Sequence, residues 1–127
     1  MTAPRYLIDT NIAIRLMRGG SSRIEHRIAS LGQGAVALSA ISHAELMQGI
    51  GRHGAEAVTR LEGLLETIPV LPFDDTAARA LPRAQKAKGR MDRMIAAHAL
   101  TLDCCLVTAN TRDFRDVPGL RIEDWTI

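Results

Sequence analysis

Apolar residues along this chain follow two rhythms. Unbroken runs, "RYLI", "AVAL" and "CCLVTA", read as short buried strands. Between them, apolar positions recur every three or four residues. Ile12, Ala13, Leu16 and Met17 mark one helix face, and Gly19-Gly20 stops that helix. Ile24, Ile28 and Leu31 mark a second helix, ended by Gly32 and Gly34, and "SHAELMQGI" reads as a third. Val58, Leu61, Leu64, Leu65 and Ile68 line a fourth, with Arg60, Glu62 and Glu66 opposite. "IPVLPF" is extended, because its two prolines forbid a helix. Asp74 or Asp75 can cap a helix running towards Lys88, which Pro82 should bend or break. "MDRMIAAHALTL" is apolar on nearly all sides and predicts a buried helix. "NTRDF" is a loop, and "LRIED" a last short strand.

Short apolar strands alternating with helices imply parallel pairing and crossover connections. The expectation is an α/β fold in one domain over residues 1–127, with a central, mostly parallel sheet flanked by helices. Ligands in such folds sit beyond the carboxyl ends of the strands. Asp9 stands at that end of the first strand, and the loop carrying Asn110 and Asp113 at that end of a later one.

Composition changes this picture little. A chain of 127 residues can bury a sizeable core, and with 3% aromatics that core must be aliphatic. No apolar run is long enough to cross a bilayer, and Asp9 and Arg15 interrupt the apolar residues that a signal peptide would need. A cytoplasmic protein with no membrane partner is expected. The net charge of +2 excludes nothing, but of 16 basic residues only Lys86 and Lys88 are lysines. Arginine suits phosphate through its planar fork of donors, and a GC-rich genome also inflates arginine. The adjacent Cys104 and Cys105 point to opposite faces of a strand, so they predict small buried apolar side chains in a reducing compartment, with no disulfide.

Four acidic residues stand at element ends or starts: Asp9, Glu45, Asp92 and Asp113. In a parallel α/β fold all four can converge on one sheet edge. Clustered carboxylates repel one another and lose hydration, which a hard cation such as Mg²⁺ or Mn²⁺ offsets. Each acid also has a local role open to it. Asp9 can form an Asx-turn, Ser42 to Glu45 matches a capping box, Asp92 can cap its helix, and Asp113 lies in an ordinary polar loop. Those roles do not require four acids at one end of one sheet.

"LIDTNI", "SAISHAELMQG", "DRMIAAHAL" and "VTANTRDFRDVPGLRIEDW", in this order and spacing, resemble the PIN-domain family, most closely the VapC toxins of bacterial VapBC toxin–antitoxin modules. The resemblance runs from about Tyr6 to Trp125. It implies an endoribonuclease dependent on Mg²⁺ or Mn²⁺, acting on tRNA or ribosomal RNA. It implies Asp9, Glu45 and Asp92 as catalytic metal ligands and Asp113 as the fourth acid. It further implies a homodimer, neutralised by a cognate VapB-type antitoxin in a heterotetramer or larger assembly. The chain departs from many relatives in its short "KGRMDRM" segment. Relatives also place the fourth acid where either Asn110 or Asp113 stands here.

Around these acids, Thr10, Asn11, Thr108 and Asn110 are placed to orient carboxylates, water or phosphate, or to cap their elements. His98 reads as a core histidine, since one histidine seldom completes a metal site. Arg79, Arg83, Lys86, Lys88, Arg90 and Arg93 form the densest basic stretch and lead into Asp92; Arg15 and Arg18 can extend that surface. A basic approach to an acidic pocket suits an RNA backbone, and a solvated helix face accounts for the charges equally. Two rivals differ in class. An aspartyl-phosphate phosphatase needs a second aspartate soon after the nucleophile, which "DTNIA" lacks. A module that binds RNA without cutting would favour lost acids, and none is clearly lost.

Overall fold

Five short strands and six helices alternate along a computed structural model that describes residues 3–127, so the first two residues of the expected domain lie outside the described residues. The first strand, β1, spans Tyr6–Ile8, and helix α1 spans Thr10–Arg18. They are followed by α2 (Ser22–Leu31), β2 (Val36–Ser39), α3 (Ala40–His53), α4 (Ala55–Leu65) and β3 (Val70–Leu71). The chain returns through α5 (Asp75–Arg79), a short 3-10 helix at Leu81–Ala84, α6 (Arg90–Leu102), β4 (Cys105–Val107), a 3-10 turn at Thr111–Asp113 and β5 (Ile122–Glu123).

All pairings in the sheet are parallel, in the order β3-β2-β1-β4-β5. The first strand of the chain therefore sits in the middle. The chain winds outwards from β1 to β3, crosses back over β1 and winds outwards again through β4 and β5. The reversal falls between β1 and β4, the position where open parallel sheets leave a crevice for ligands. Register makes that crevice sharp. Ile8 lies opposite both Leu38 and Val107, so Asp9, Ser39 and Thr108 leave the sheet at one level.

Alternation along the strands divides the core into two layers. Leu7, Ala37 and Leu106 face α6, where they meet Ile95, Ala96, Ala99 and Phe114. Ile8, Val36, Leu38 and Val107 face the other way, onto Ile12, Ile24, Leu46, Leu61 and Trp125. Helix α6 is buried through Ile95, Ala96, Ala97, His98 and Ala99, as its all-round apolarity predicts. Its alanines carry so little volume that the backbone can lie close against the sheet.

Several elements differ from expectation for local reasons. The helix foreseen from Asp74 towards Lys88 breaks after Arg79 and resumes as a 3-10 helix with Pro82 near its start, since proline lacks the amide the helix would need. Asp74 does cap α5, accepting from the Ala77 amide at 3.0 Å. Helix α3 starts at Ala40, earlier than "SHAELMQGI" suggests, because Ser39 ends β2 and caps α3 through the Ile41 amide at 3.0 Å. Ile68 lies past the end of α4 yet remains in the core. Gly54 joins α3 to α4 at φ +78°, a left-handed conformation that favours glycine.

Both cysteines are buried and free. Burial raises the Cys104 thiol and, with the Glu123 carboxylate beside it, pushes Cys105 up to about 12. At neutral pH both are protonated and act as small apolar groups, as read from their place in a strand.

Candidate active site

Asp9 is the first residue after the central strand, and 5% of its surface is exposed. Its amide still belongs to the sheet, donating to the Val107 carbonyl at 3.0 Å. Its side chain already belongs to α1, accepting from the Ile12 amide at 2.9 Å. The turn and the functional reading of "LIDTNI" therefore coexist: the N-cap geometry that starts α1 also holds the carboxylate at the crevice. Burial raises Asp9 above its ordinary range. The Thr108 hydroxyl and the Ile12 amide oppose that rise, and the charges of Asp92 and Glu45 add to it.

Glu45 and Asp92 reach the same place from α3 and α6. The Ser42–Glu45 capping box does not form. Glu45 instead accepts from the Thr10 hydroxyl at 2.5 Å, across 35 residues of sequence. That distance suits a bond assisted by the carboxylate's charge. Asp92 accepts from the Gly89 amide at 3.3 Å, so here the local helix-start role is real. A Cβ on Gly89 would come 3.2 Å from Asp92 Oδ2, so a larger residue there would press on that carboxylate. Burial raises Asp92 as well; the Gly89 amide opposes that and the Asp113 charge reinforces it.

These three carboxylates line one cavity of about 330 Å³ at the carboxyl edge of the sheet. Thr10, Asn11 and Asn110 line it too. Thr108 lies just behind, fully buried, its hydroxyl accepting from the Asn110 amide at 2.9 Å. Asp113 is half-buried and outside the cavity wall, where its charge reaches Asp92; Asn110 stands in the wall itself. Of the two positions weighed for the fourth acid, the one facing the cavity is thus the amide.

The donor set is all oxygen, the chemistry of Mg²⁺ and Mn²⁺. Among the described residues no three acidic, histidine or cysteine side chains converge closely enough to ligate one ion directly. A cation held by one or two carboxylates with water completing its shell still fits, and this is the usual habit of Mg²⁺. Asp9, Glu45 and Asp92 accept hydrogen bonds from protein donors and keep other lone pairs for such a role.

The basic stretch lies elsewhere. Arg15, Arg83, Lys86, Lys88, Arg90 and Arg93 are absent from the cavity wall. Arg93 spends its Nε on the Ala87 carbonyl at 3.2 Å, and the Lys88 amide bonds the Asp113 carbonyl at 3.1 Å. The cavity's own cation is Arg52, with Gln48 beside it, and neither was foreseen. The signal was present in "ELMQGIGR": positions three, four and seven after Glu45 share its helix face.

His98 is a core residue, as expected, 2% exposed. Its Nδ1 lies 2.8 Å from Ser39 Oγ, and its ring meets Phe73 edge-on at 5.5 Å. Burial lowers its pKa from 6.5; the Asp74 charge and the Pro72 carbonyl oppose that. A histidine held neutral in the fold binds fewer protons than in the unfolded chain, so its contribution is present above pH 6.5 and is lost as pH falls below that. Thermal unfolding from about pH 7.5 to about pH 5 should show stability falling in the wild type and a flatter profile in His98→Gln. Identical profiles would remove His98 from the pH response.

The sequence and the fold have close counterparts. The PIN domain family matches residues 6–120. The tRNA(fMet)-specific endonuclease VapC of Shigella flexneri is 34% identical, over 96% of this chain and 98% of its own. The DNA-bound VapBC of Salmonella typhimurium superposes with a TM-score of 0.83 at 32% identity, covering 96% of this chain and 98% of that one. VapBC-1 of nontypeable Haemophilus influenzae gives a TM-score of 0.84 at 28% identity, with the same coverage.

Proposed function

This chain belongs to the PIN-domain family, and from that premise we propose that it is a metal-dependent endoribonuclease, the toxin of a type II toxin–antitoxin module. One observation carries the reading: carboxylates from three separate elements share one cavity at the point where the winding of the sheet reverses. A module that only bound RNA would have no use for mutually repelling acids around one cavity.

Asp9, Glu45 and Asp92 would hold Mg²⁺ or Mn²⁺, with Asp113 adding its charge from outside the wall. The bound cation supplies Lewis-acid stabilisation of charge developing on the phosphate and eases deprotonation of a water. The protein's task is placement. The Thr10 hydroxyl holds Glu45, the Gly89 amide holds Asp92, and the Ile12 amide holds Asp9. Asn11 and Asn110 line the cavity, where their amide groups would orient the attacking water or a phosphate oxygen. Water attacks phosphorus in line with the 3′-oxygen and that P–O bond breaks. The products carry 5′-phosphate and 3′-hydroxyl ends. Transfer RNA is the first substrate to try, since the Shigella relative is named for one.

The partner follows from the same premise. The acid cavity shares Ile14, Glu45 and Gly49 with a second cavity, which in turn shares Met17 and Arg60 with a mostly apolar groove of about 620 Å³ between α1, α2 and α4. An antitoxin segment lying along them would cover the carboxylates, and the VapBC complexes among the structural neighbours support a partner of that kind. The toxin–antitoxin assembly would be built on a homodimer of this chain, in the cytoplasm. Among the described residues no helix is long and apolar enough to cross a membrane.

The test is incubation of purified protein with total tRNA and Mn²⁺ or Mg²⁺, beside a chelator arm, followed by end analysis. Discrete fragments that chelator abolishes, with 5′-phosphate ends, are expected. Cleavage that survives chelation, or 2′,3′-cyclic phosphate ends, would overturn the mechanism, because a cyclic end means that the RNA's own hydroxyl attacked.

A further inference from the structure

Arg52 is out of keeping with its surroundings. It is an exposed guanidinium in the wall of a cavity whose other charges, Asp9, Glu45 and Asp92, are all negative. A cation there would be expected to pair with one of them. Each carboxylate instead takes its hydrogen bond from a hydroxyl or a backbone amide. Among the described residues four ion pairs form, and Arg52 belongs to none. It also makes no side-chain hydrogen bond among those residues. The guanidinium is held near the acids by its helix without being used by them.

Helix geometry explains the placement. Arg52 lies seven residues, two helical turns, beyond Glu45 on α3, so both project from one face with Gln48 and Gly49 between them. Gly49 leaves bare backbone in that wall, and a Cβ built on it would meet nothing within 4 Å. The strip from Glu45 to Arg52 is therefore an open floor with an acid at one end and a free planar cation at the other. A second cavity of about 440 Å³ shares Ile14, Glu45 and Gly49 with the first and carries Arg18 in its wall.

We infer that Arg52, assisted by Gln48, is a phosphodiester-binding residue that grips the RNA backbone next to the bond being cut, so that the strand runs over Gly49 along α3. The inference rests on the ribonuclease reading for the identity of the ligand. Its physical basis is separate. An uncommitted guanidinium suits the two free oxygens of a phosphodiester through its fork of donors, and Gln48 can add a further donor. Spacing decides its partner. Two turns of helix rise about 11 Å. That is roughly the reach of one or two nucleotide steps in an extended strand, so Arg52 is spaced for a phosphate adjoining the one at the carboxylates.

This location differs from the basic stretch at residues 83–93. Those groups can steer RNA from a distance, whereas Arg52 would touch it. The two roles part in their salt dependence: each single-strand phosphate contact lowers the slope of log affinity against log salt by about 0.7.

The experiment uses the full chain, a fluorescein-labelled single-stranded RNA and fluorescence anisotropy between ~50 and ~200 mM salt. Chelator is present so that no cleavage occurs. Arg52→Gln should weaken binding about 10-fold and flatten the slope by ~0.7 relative to wild type. Arg52→Lys should restore the slope, since a lysine still contacts phosphate as a point charge. In cleavage assays Arg52→Gln should raise KM with kcat within about twofold, the mark of binding lost equally in ground and transition states. Arg121→Gln is the control, because Arg121 pairs with Asp103 at the opposite edge of the sheet.

A wild-type slope in Arg52→Gln overturns the inference, and cleavage by the wild type would leave the ribonuclease reading intact. Unchanged RNA binding with altered Mn²⁺ affinity also overturns it, since Arg52 would then serve the carboxylates. RNA binding that loses slope in Arg52→Gln, in a protein that cuts no RNA, would support the inference while the nuclease reading fails.

Discussion

Asp9→Asn should abolish RNA cleavage and make the fold more stable. The activity loss is expected to reach at least ~10³-fold, because in the proposed mechanism several kcal/mol of charge stabilisation at the reacting phosphate would depend on this carboxylate. The gain in stability follows from the site itself. Asp9 is buried beside Asp92 and Glu45, which raises its pKa in the fold. The folded state thus binds the Asp9 proton more tightly than the unfolded chain does. Stability then falls as pH rises from 3.8 through the raised value. The substitution removes the charge and keeps an oxygen for the Ile12 amide, at a position where asparagine is a good N-cap. Thermal unfolding in chelator should show Tm higher by ~3–5 °C at about pH 7, with the difference vanishing below pH 3.8. A variant less stable than wild type at neutral pH would contradict the burial argument, whatever its activity.

The largest loss of stability is expected from Phe114→Ala. Phe114 is 2% exposed and heads the fully buried side chains by volume, in a chain with only two phenylalanines. It packs into the α6 layer of the core directly after Asp113, and its amide closes the 3-10 turn onto the Thr111 carbonyl at 3.1 Å. Truncation removes the transfer free energy of the ring and leaves a cavity, together ~3–5 kcal/mol. Tm should fall by ~10–20 °C, and the urea midpoint should drop with its slope unchanged. The loop carrying Asn110 and Asp113 would lose its anchor, so cleavage should weaken even where the protein is still folded. A loss under ~1 kcal/mol would mean that the turn is not held by this ring.

Much of the fold was legible because apolar periodicity is a local property. β1, β2, β4 and α1, α2, α4 and α6 fall where runs and spacings place them, and the parallel sheet follows from their alternation. The position of Asp9 was legible for the same reason: a carboxylate ending a buried strand must face the strand's carboxyl edge. Pro82 was legible as a break, since the missing amide acts wherever the residue sits.

What the sequence misread has one physical cause. A side chain's partner is chosen by distance in space, and short patterns propose partners near in the chain. Ser42 and Glu45 match a capping box, yet Ser39 had already capped α3, and Glu45 turned to Thr10. Gln48 and Arg52 looked like ordinary helix surface until α3 packed beside α1 and set their shared face against Asp9 and Asp92.

The sequence by itself determined the element order, the parallel sheet and the acids at its carboxyl edge, because hydrophobic period and residue type act within a few residues. The tertiary structure decided which acids share a wall, that Asn110 faces the cavity while Asp113 stands outside it, and that Arg52 is the cation within reach. Those outcomes depend on the register of β1 against β4 and the packing of α3 and α6 across it, and both are set by contacts far apart in the chain.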